Sequence, residues 1–449
     1  MIPKIIDLFS GCGGLSLGFE KAGFDFAAGI EMAESAHSTV SYNLSLRYGK
    51  NPVHICQDIT QTDAASLIQY SGSEGVIVIG GPPCQAYSLV GRGKLRSLGK
   101  GRDHKKDSRG YLYQDFLRFV YTLQAKAVIM ENVPEAISFG KINVPETVCS
   151  DLENHGYTAY WTVLNSADYG VPQIRERLFV IAIKSELNKT IDLPIPTHVD
   201  ILGYFFSSRA GNERLLKYAH YKEPRKNCSS KAWVNVGEAL SDLPSLLKSP
   251  DEKYQNPDLS IALPYKTEIS NEYQKIMRKW YGNPKDYVTG NAYRNNTRDF
   301  KIFAGMNEGD NYVAAHDIAE QLFFKQVRIL GYSPEDENYK KLYKKMVPCY
   351  DTSKFIDKWK RLRCDRPSHT IVAHLSVDTY SHIHPWEPRG ISVREAARLQ
   401  SFPDDFLFNC SMGDAFKQIG NAVPPLLSYA IASSVYDCFN EKKKHEIKS

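Results

Sequence analysis

The chain has 449 residues, 42% hydrophobic and 24% charged, with 56 lysines and arginines against 51 acidic residues and a formal net charge of +5. That length is too great for one ordinary core and implies two domains. The mild charge excludes a uniformly basic surface, and no window approaches the ~18 unbroken apolar residues of a membrane span, so no membrane partner is expected. Nine cysteines, at positions 12, 56, 84, 149, 228, 349, 364, 410 and 438, form no CxxC pair, which argues against a zinc ribbon or a disulfide framework. The N-terminus MIPKIIDLFS enters a strand without a charged leader or cleavage site, and the expected location is cytoplasmic.

In chain order, apolar runs predict strands over residues 4–9, 26–30, 76–79, 127–130 and 178–183, alternating with helix-like stretches such as 32–46 and 112–124. Strands alternating with helices imply an α/β fold with a parallel, doubly wound sheet. From about residue 186 the pattern degrades into polar, tyrosine-rich and lysine-rich segments, with the LPIPT run at 193–197 as a linker. Helical periodicity returns at 393–400 and at 424–439, ahead of a charged tail. The expected division is 1–189, then a second and smaller domain over 190–390, then 391–449.

The first strand leads into Asp7-Leu8-Phe9-Ser10-Gly11-Cys12-Gly13-Gly14 and then a helix-like stretch. A glycine-rich strand-to-helix turn offers free backbone amides to a ligand. The second strand ends at Gly29-Ile30-Glu31, about 20 residues on, where such folds hold ribose hydroxyls. The spacing is not GxGxxG, so a dinucleotide site and a plain tight turn both stay open.

The run Ile79-Gly80-Gly81-Pro82-Pro83-Cys84 ends a buried strand with two glycines and two stiffening prolines ahead of a cysteine. That placement suits a nucleophile; an inert buried thiol is the alternative. The strand over 127–130 delivers Glu131-Asn132-Val133 at its carboxyl end, the edge where Cys84 should lie. Gln173-Ile174-Arg175-Glu176-Arg177 precedes the last strand, and alternate residues of an extended segment share a face, so Arg175 and Arg177 point to one side. A surface ion pair through Glu176 is the bland reading. Between Gly91 and Gly110 eight basic residues face only two acidic ones, with five glycines, a composition suited to a mobile loop that contacts phosphates.

Taken together, DLFSGCGG, GGPPCQAYS, ENV, YGVPQIRERLFVIA at 169–182, SVREAARLQSFPDDF at 392–406 and IGNAVPP at 419–425 resemble the blocks of the DNA (cytosine-5) methyltransferase family, bacterial restriction-modification type. The resemblance covers about the first 185 and last 90 residues. It implies a Rossmann-like S-adenosylmethionine-dependent methyltransferase domain and a target-recognition domain. The implied chemistry is a methyl transfer to carbon 5 of a flipped-out cytosine in duplex DNA, through a Cys84 adduct.

On the same resemblance Glu131 protonates ring nitrogen 3, Arg177 holds the base's carbonyl oxygen and steadies Glu131, and Arg175 lies nearer the sugar-phosphate. The cofactor, S-adenosyl-L-methionine, would meet Phe9, Gly11, Gly13, Gly14, Glu31, Met32, Asp58, Ile59, Asn421 and Ala422. For Asp58 alone a surface turn would be the better guess. A monomer is implied, and a cognate restriction endonuclease is the expected companion. The last helix should pack back onto the first sheet, and the basic loop should close over DNA.

His369, His374, His382 and His384 crowd one region, but their spacing is not HExxH and His382-Ile383-His384 reads as alternation on a strand, so no metal is expected. Cys12 reads as a small packing residue. Three rivals stay open at this stage. An RNA cytosine-5 methyltransferase would use the same nucleophile and acid, a non-catalytic DNA-binding regulator could keep the fold, and a nicotinamide-dependent dehydrogenase would explain only the glycine turn.

Overall fold

The computed structural model describes residues 2–48, 53–83, 112–138, 142–201, 203, 213–225, 231–247, 251, 258–282, 284–353, 358–376 and 379–440. Two compact units divide the chain. Unit 1 comprises 1–234, 400–402 and 421–449; unit 2 comprises 235–399 and 403–420.

Unit 1 is built on a seven-stranded sheet of β1 (Lys4–Leu8), β2 (Phe26–Glu31), β3 (Val53–Cys56), β4 (Val76–Gly80), β5 (Ala127–Asn132), β6 (Tyr157–Asn165) and β7 (Glu176–Lys184), in the order β3-β2-β1-β4-β5-β7-β6. β1 to β5 are parallel; β7 runs antiparallel to both β5 and β6. The sheet is therefore doubly wound as expected, but β7 runs against the other six strands, a departure from the all-parallel reading. Tyr157–Asn165 and Glu176–Lys184 are joined by a short connection rather than a crossover helix, and short connections make antiparallel neighbours.

Both faces of the sheet are buried, which is why its central strands read as unbroken apolar runs. Alternate residues feed two separate cores. Val76, Val78, Val128 and Met130 pack with Phe116 and Val120 of the helix Leu112–Thr122 and with Val148 and Leu152 of Val144–Asn154. Ile77, Ile79, Ala127 and Ile129 pack on the other face with Leu15 and Phe19 of α1 (Gly14–Ala22), Val40 and Leu44 of α2 (Glu34–Tyr48), and Leu427, Ile431 and Val435 of the last helix, Pro425–Phe439. The chain's end thus returns to the first sheet, and Ser428 Oγ donates to the Leu15 carbonyl at 2.5 Å.

The units break the chain at 234/235 rather than 189/190. Among the described residues of 190–234 the helical element is the short turn Glu213–Leu215, yet Ile191 and Leu193 join one core of the sheet and Tyr221 the other, bridged to Trp161 of β6. Unit 2 has helices that include the 19-residue Tyr312–Leu330, a two-stranded antiparallel ladder of Leu263–Pro264 with Tyr287–Val288, and an aromatic core around Phe300, Phe303, Tyr312, Phe323 and Trp359. His382 and His384 flank Ile383, which makes isolated bridges instead of belonging to a strand. Among the described residues no helix is long and apolar enough to cross a membrane.

Candidate active site

The carboxyl ends of β1, β4 and β5 reach one edge, with Leu8 beside Gly80 and Gly80 beside Met130. β7 begins at that edge, its Leu178 opposite Asn132. β1 has β2 on one side and β4 on the other, so the chain order reverses there and leaves a crevice outside the strand ends, where open α/β sheets bind ligands.

The glycine turn forms one wall of the crevice. Phe9, Gly11 and Gly13 have φ of 59°, 55° and 89°, and α1 starts at Gly14 with no side-chain cap. Glu31 closes the turn from β2, since its Oε2 accepts the Gly11 N–H at 2.8 Å and its Oε1 accepts the Ala33 N–H at 2.7 Å. A carboxylate has about four acceptor sites, so both oxygens keep capacity for ligand hydroxyls. Met32 beside it is 66% exposed, an apolar face left to solvent, and a Cβ on Gly11 would meet nothing within 4 Å.

Two further segments reach this wall. A Cβ on Gly14 would stand 2.5 Å from the Val423 carbonyl and 3.1 Å from the Ala422 Cβ, so only glycine lets Asn421, Ala422 and Val423 approach the turn. Asp58 follows two residues after Cys56, the partner of Glu31 in the sheet, and its Oδ1 caps a short turn by accepting the Thr60 N–H at 2.9 Å. Ile59 is buried in the core, and its carbonyl accepts Arg118 Nη2 at 2.7 Å. Asp58 is half-buried and Asn421 exposed. Cys12 is buried, as a packing residue should be.

At the end of β5, Glu131 is buried and its Oε1 meets Arg177 Nε at 2.9 Å. Burial raises the Glu131 carboxyl above the ordinary range, outweighing the opposing pull of Arg177 and Arg175. A carboxyl that keeps its proton this way can act as an acid near neutral pH. Glu131 also crowds the turn ahead, where a Cβ on Gly81 would stand 2.8 Å from Oε2, and Asn132 Nδ2 reaches the Pro82 carbonyl at 3.4 Å. The Gly80-to-Pro83 turn is thus laid against Glu131 and Asn132. Cys84, next in sequence, lies outside the described residues, as does the basic loop from Gly91 to Gly110.

Arg175 and Arg177 both act on Glu131, in keeping with one shared face. Arg175 is 1% exposed, with Nη2 donating to the Ala422 carbonyl at 3.1 Å. Residues with no local signal complete the link. Gln173 Nε2 donates to Gln400 Oε1 at 2.5 Å, and Gln400 Nε2 donates to the Ala422 carbonyl at 2.7 Å, with both glutamines fully buried. Their only trace in sequence is a polar residue inside each of two family-like blocks.

Of the crowded histidines of unit 2, His382 and His384 are buried, His369 is half-buried and His374 is exposed. The rings of His369 and His382 stack 3.9 Å apart, and burial lowers His369 and His384 well below the usual imidazole range and His382 to about 4. Among the described residues His316, Asp317 and Glu320 could together hold a cation, but Tyr343 Oη already donates to Glu320.

Comparison with known proteins agrees with this arrangement. A family model, the C-5 cytosine-specific DNA methylases, matches residues 3–437. M.OihORF3336P of Oceanobacillus iheyensis, which carries a type II methyltransferase name, is 51% identical over 440 residues, spanning 97% of this chain and 95% of its own. Type II methyltransferase M.AgeI of Thalassovita gelatinovora is 31% identical over 464 residues, spanning 96% and 99%. A crystal structure from E. coli, described as a DNA modification methyltransferase encoded within a prophage, shares the fold at a TM-score of 0.65 and 24% identity over 98% of this chain and 99% of its own. The chain belongs to the C-5 cytosine-specific DNA methylases and is a DNA (cytosine-5) methyltransferase.

Proposed function

We propose that the protein transfers the methyl group of S-adenosyl-L-methionine to carbon 5 of a cytosine taken out of a short duplex DNA sequence, through a covalent adduct with Cys84. The observation that carries this reading is the buried Glu131–Arg177 pair at 2.9 Å, set directly against the turn that leads into Cys84.

The residues around the glycine turn suit the cofactor. Gly11, Gly13 and Gly14 leave backbone free for the methionine end, Glu31 keeps acceptor sites for the ribose, and Phe9 and the exposed Met32 offer apolar faces to the adenine, with Asp58, Ile59, Asn421 and Ala422 around it. When bound, the cofactor supplies an electrophilic methyl on a sulfonium sulfur. Everything else is the work of this chain.

Carbon 5 of cytosine is a poor nucleophile. In our reading the Cys84 thiolate adds to carbon 6, and the displaced π electrons make carbon 5 nucleophilic while charge builds on ring nitrogen 3. Glu131 gives its proton to that nitrogen, and Arg177 holds the carbonyl oxygen and keeps Glu131 aimed. Carbon 5 then takes the methyl and loses its own hydrogen as a proton to solvent, the C6–S bond breaks to release the thiolate, and ring nitrogen 3 returns its proton to Glu131, which restores the aromatic ring and the acid. An unperturbed thiol near pKa ~8.5 is only a few per cent ionised at neutral pH, so proton removal from Cys84 is part of the site's task. Arg175 is a positioning residue that ties the Ala422 turn to Glu131.

A target base inside a duplex is stacked out of reach, so extrusion is required, at about a few kcal/mol. Unit 2 then reads the sequence, and the Gly91-to-Gly110 loop closes over the DNA. A type II restriction-modification role, a cognate endonuclease, a monomeric state and a cytoplasmic setting complete the proposal and rest on the named relatives and on the substrate.

The test is base-resolution mapping of 5-methylcytosine in unmethylated genomic DNA incubated with the cofactor and either wild-type protein or Cys84→Ala. Methylation at one short recurring sequence by wild type, and none by Cys84→Ala despite retained DNA binding, is expected. Full activity in Cys84→Ala would overturn the mechanism, and methylation of RNA alone would overturn the substrate.

A further inference from the structure

Ser10 is the fixed point of the glycine turn. Its N–H donates to the Ile30 carbonyl at 3.1 Å, and its own carbonyl accepts the Gly13 N–H at 2.8 Å. Its hydroxyl lies 3.3 Å from the same Ile30 carbonyl and 2.7 Å from His54 Nε2. Thus one side chain, on the edge strand β3, reaches the turn 44 residues away in sequence.

That imidazole is held on several sides. His54 pairs with Gly29 in the sheet, and a Cβ on Gly29 would stand 2.7 Å from His54 Cδ2, so the glycine makes the space the ring occupies. Phe26 stacks with it at 6.3 Å and 21°, and the His37 ring lies 4.9 Å away with Nε2 at 3.0 Å from the His54 carbonyl.

The hydrogen-bond count selects one tautomer. His54 Nδ1 is shielded from solvent and has no partner among the described residues. If the Ser10 hydroxyl donated to Nε2, the ring's N–H would sit on Nδ1, buried and unsatisfied. If instead Nε2–H donates to Ser10 Oγ, the hydroxyl hydrogen is free for the Ile30 carbonyl and every donor is used. Burial and the neighbouring His37 keep the ring neutral, with a pKa of about 3, which preserves this arrangement at physiological pH.

We propose that His54 is a positioning residue for cofactor binding: the relay from His54 Nε2–H to Ser10 Oγ to the Ile30 carbonyl fixes the Phe9-to-Gly14 turn in its ligand-ready form. The inference rests on the reading of that turn as the S-adenosylmethionine site. His54 touches no cofactor atom in this scheme and acts through Ser10.

The test uses full-length protein and calorimetric titration with S-adenosylmethionine. His54→Phe keeps an aromatic body between Phe26 and His37 but loses the donor, and His54→Gln keeps an amide N–H within reach. The expected result for His54→Phe is a cofactor Kd raised about five- to tenfold, with DNA affinity and kcat at saturating cofactor within about twofold of wild type. His54→Gln should recover most of the loss. Ser10→Ala should match His54→Phe, and the double variant should lose no more than either single one.

An unchanged Kd in His54→Phe, multiplying losses in the double variant, or an equal fall in DNA affinity and melting temperature would overturn the inference alone. Wild-type protein that bound no S-adenosylmethionine would overturn the reading of the site and the inference with it.

Discussion

In unit 1 the segments that carry the chemistry hang from strand ends of one sheet, and two apolar cores press on that sheet from either face. Among its described residues unit 2 has one two-stranded ladder and much irregular backbone, and there buried arginines take over the positioning. Arg361 donates to the carbonyls of Phe303, Met306 and Pro385, and Arg394 to those of Thr289, Pro403 and Phe406. Arg389 pairs with Glu395 and Glu387, and Arg398 with Asp242 and Asp404. A sheet satisfies its backbone groups internally, whereas irregular segments in a core need side chains to do so. Guanidinium groups with five donors each are suited to holding such irregular segments still.

The largest expected effect separates chemistry from scaffold within unit 1. Glu131→Gln keeps the shape and an acceptor for Arg177 but cannot supply an acid's proton, so kcat should fall by about 10²–10⁴. DNA and cofactor affinities should stay within a few-fold, and the midpoint of unfolding should not fall. Steady-state kinetics with binding titrations on one preparation check this. If kcat were retained, Glu131 would be part of the scaffold and the contrast between the units would narrow.

The next effect breaks the scaffold of unit 2. Arg398 is fully buried between Asp242 and Asp404, with Nη1 also donating to the Ala239 carbonyl at 2.8 Å. Arg398→Met removes the cation that the two carboxylates share, leaving only Arg278 at 3.6 Å from Asp242 and the charge of Arg394 acting on Asp404, and removing one partner of such a buried cluster costs about 3–5 kcal/mol. Chemical denaturation should show that loss, and DNA affinity should fall with it while cofactor affinity in unit 1 holds. A loss below about 1 kcal/mol would mean that unit 2 is held by its aromatic core alone.

The same contrast explains what the sequence made legible. Buried central strands announce themselves as apolar runs, so residues 76–79 and 127–130 were readable and with them the edge bearing Glu131. The edge strand Val53–Cys56 is half-buried and only four residues long, and Tyr157–Asn165 mixes threonine with aromatics, so neither forms an apolar run. Arg394 and Arg398 sit on a helix whose period was visible, yet charged residues read as solvent-facing until their carboxylates and carbonyls are seen. The Gln173–Gln400 and Ser10–His54 contacts join residues 227 and 44 apart and leave no periodic trace. Ile191, Leu193 and Tyr221 read as part of the polar middle because single residues packed from irregular backbone leave no pattern of their own.

The smallest effect concerns how each unit treats a buried carboxylate. In unit 2 burial pulls the Asp404 carboxyl up, but Arg398 and Arg394 outweigh it and hold the group below its usual range. In unit 1 burial lifts Asp7 from 3.8 to about 7, reinforced by Glu31 and Glu20 and only partly offset by the 2.5 Å hydrogen bond from Ser16 Oγ. A raised folded-state pKa means that the folded protein keeps a proton the unfolded chain has released. The stabilisation is whole below about pH 4 and drains away as pH rises through about 7. For Asp404 the sign reverses, and stability is lost as pH falls through its depressed value. Asp7→Asn keeps an acceptor for Ser16 and cannot ionise, so its stability relative to wild type should climb between pH 5 and pH 8, by about 2 kcal/mol once local relaxation around the buried charge is allowed. Parallel denaturation curves for the two proteins at four or five pH values measure this directly. A flat difference across that range would mean that Asp7 is ionised throughout, and that unit 1, like unit 2, compensates its buried carboxylates.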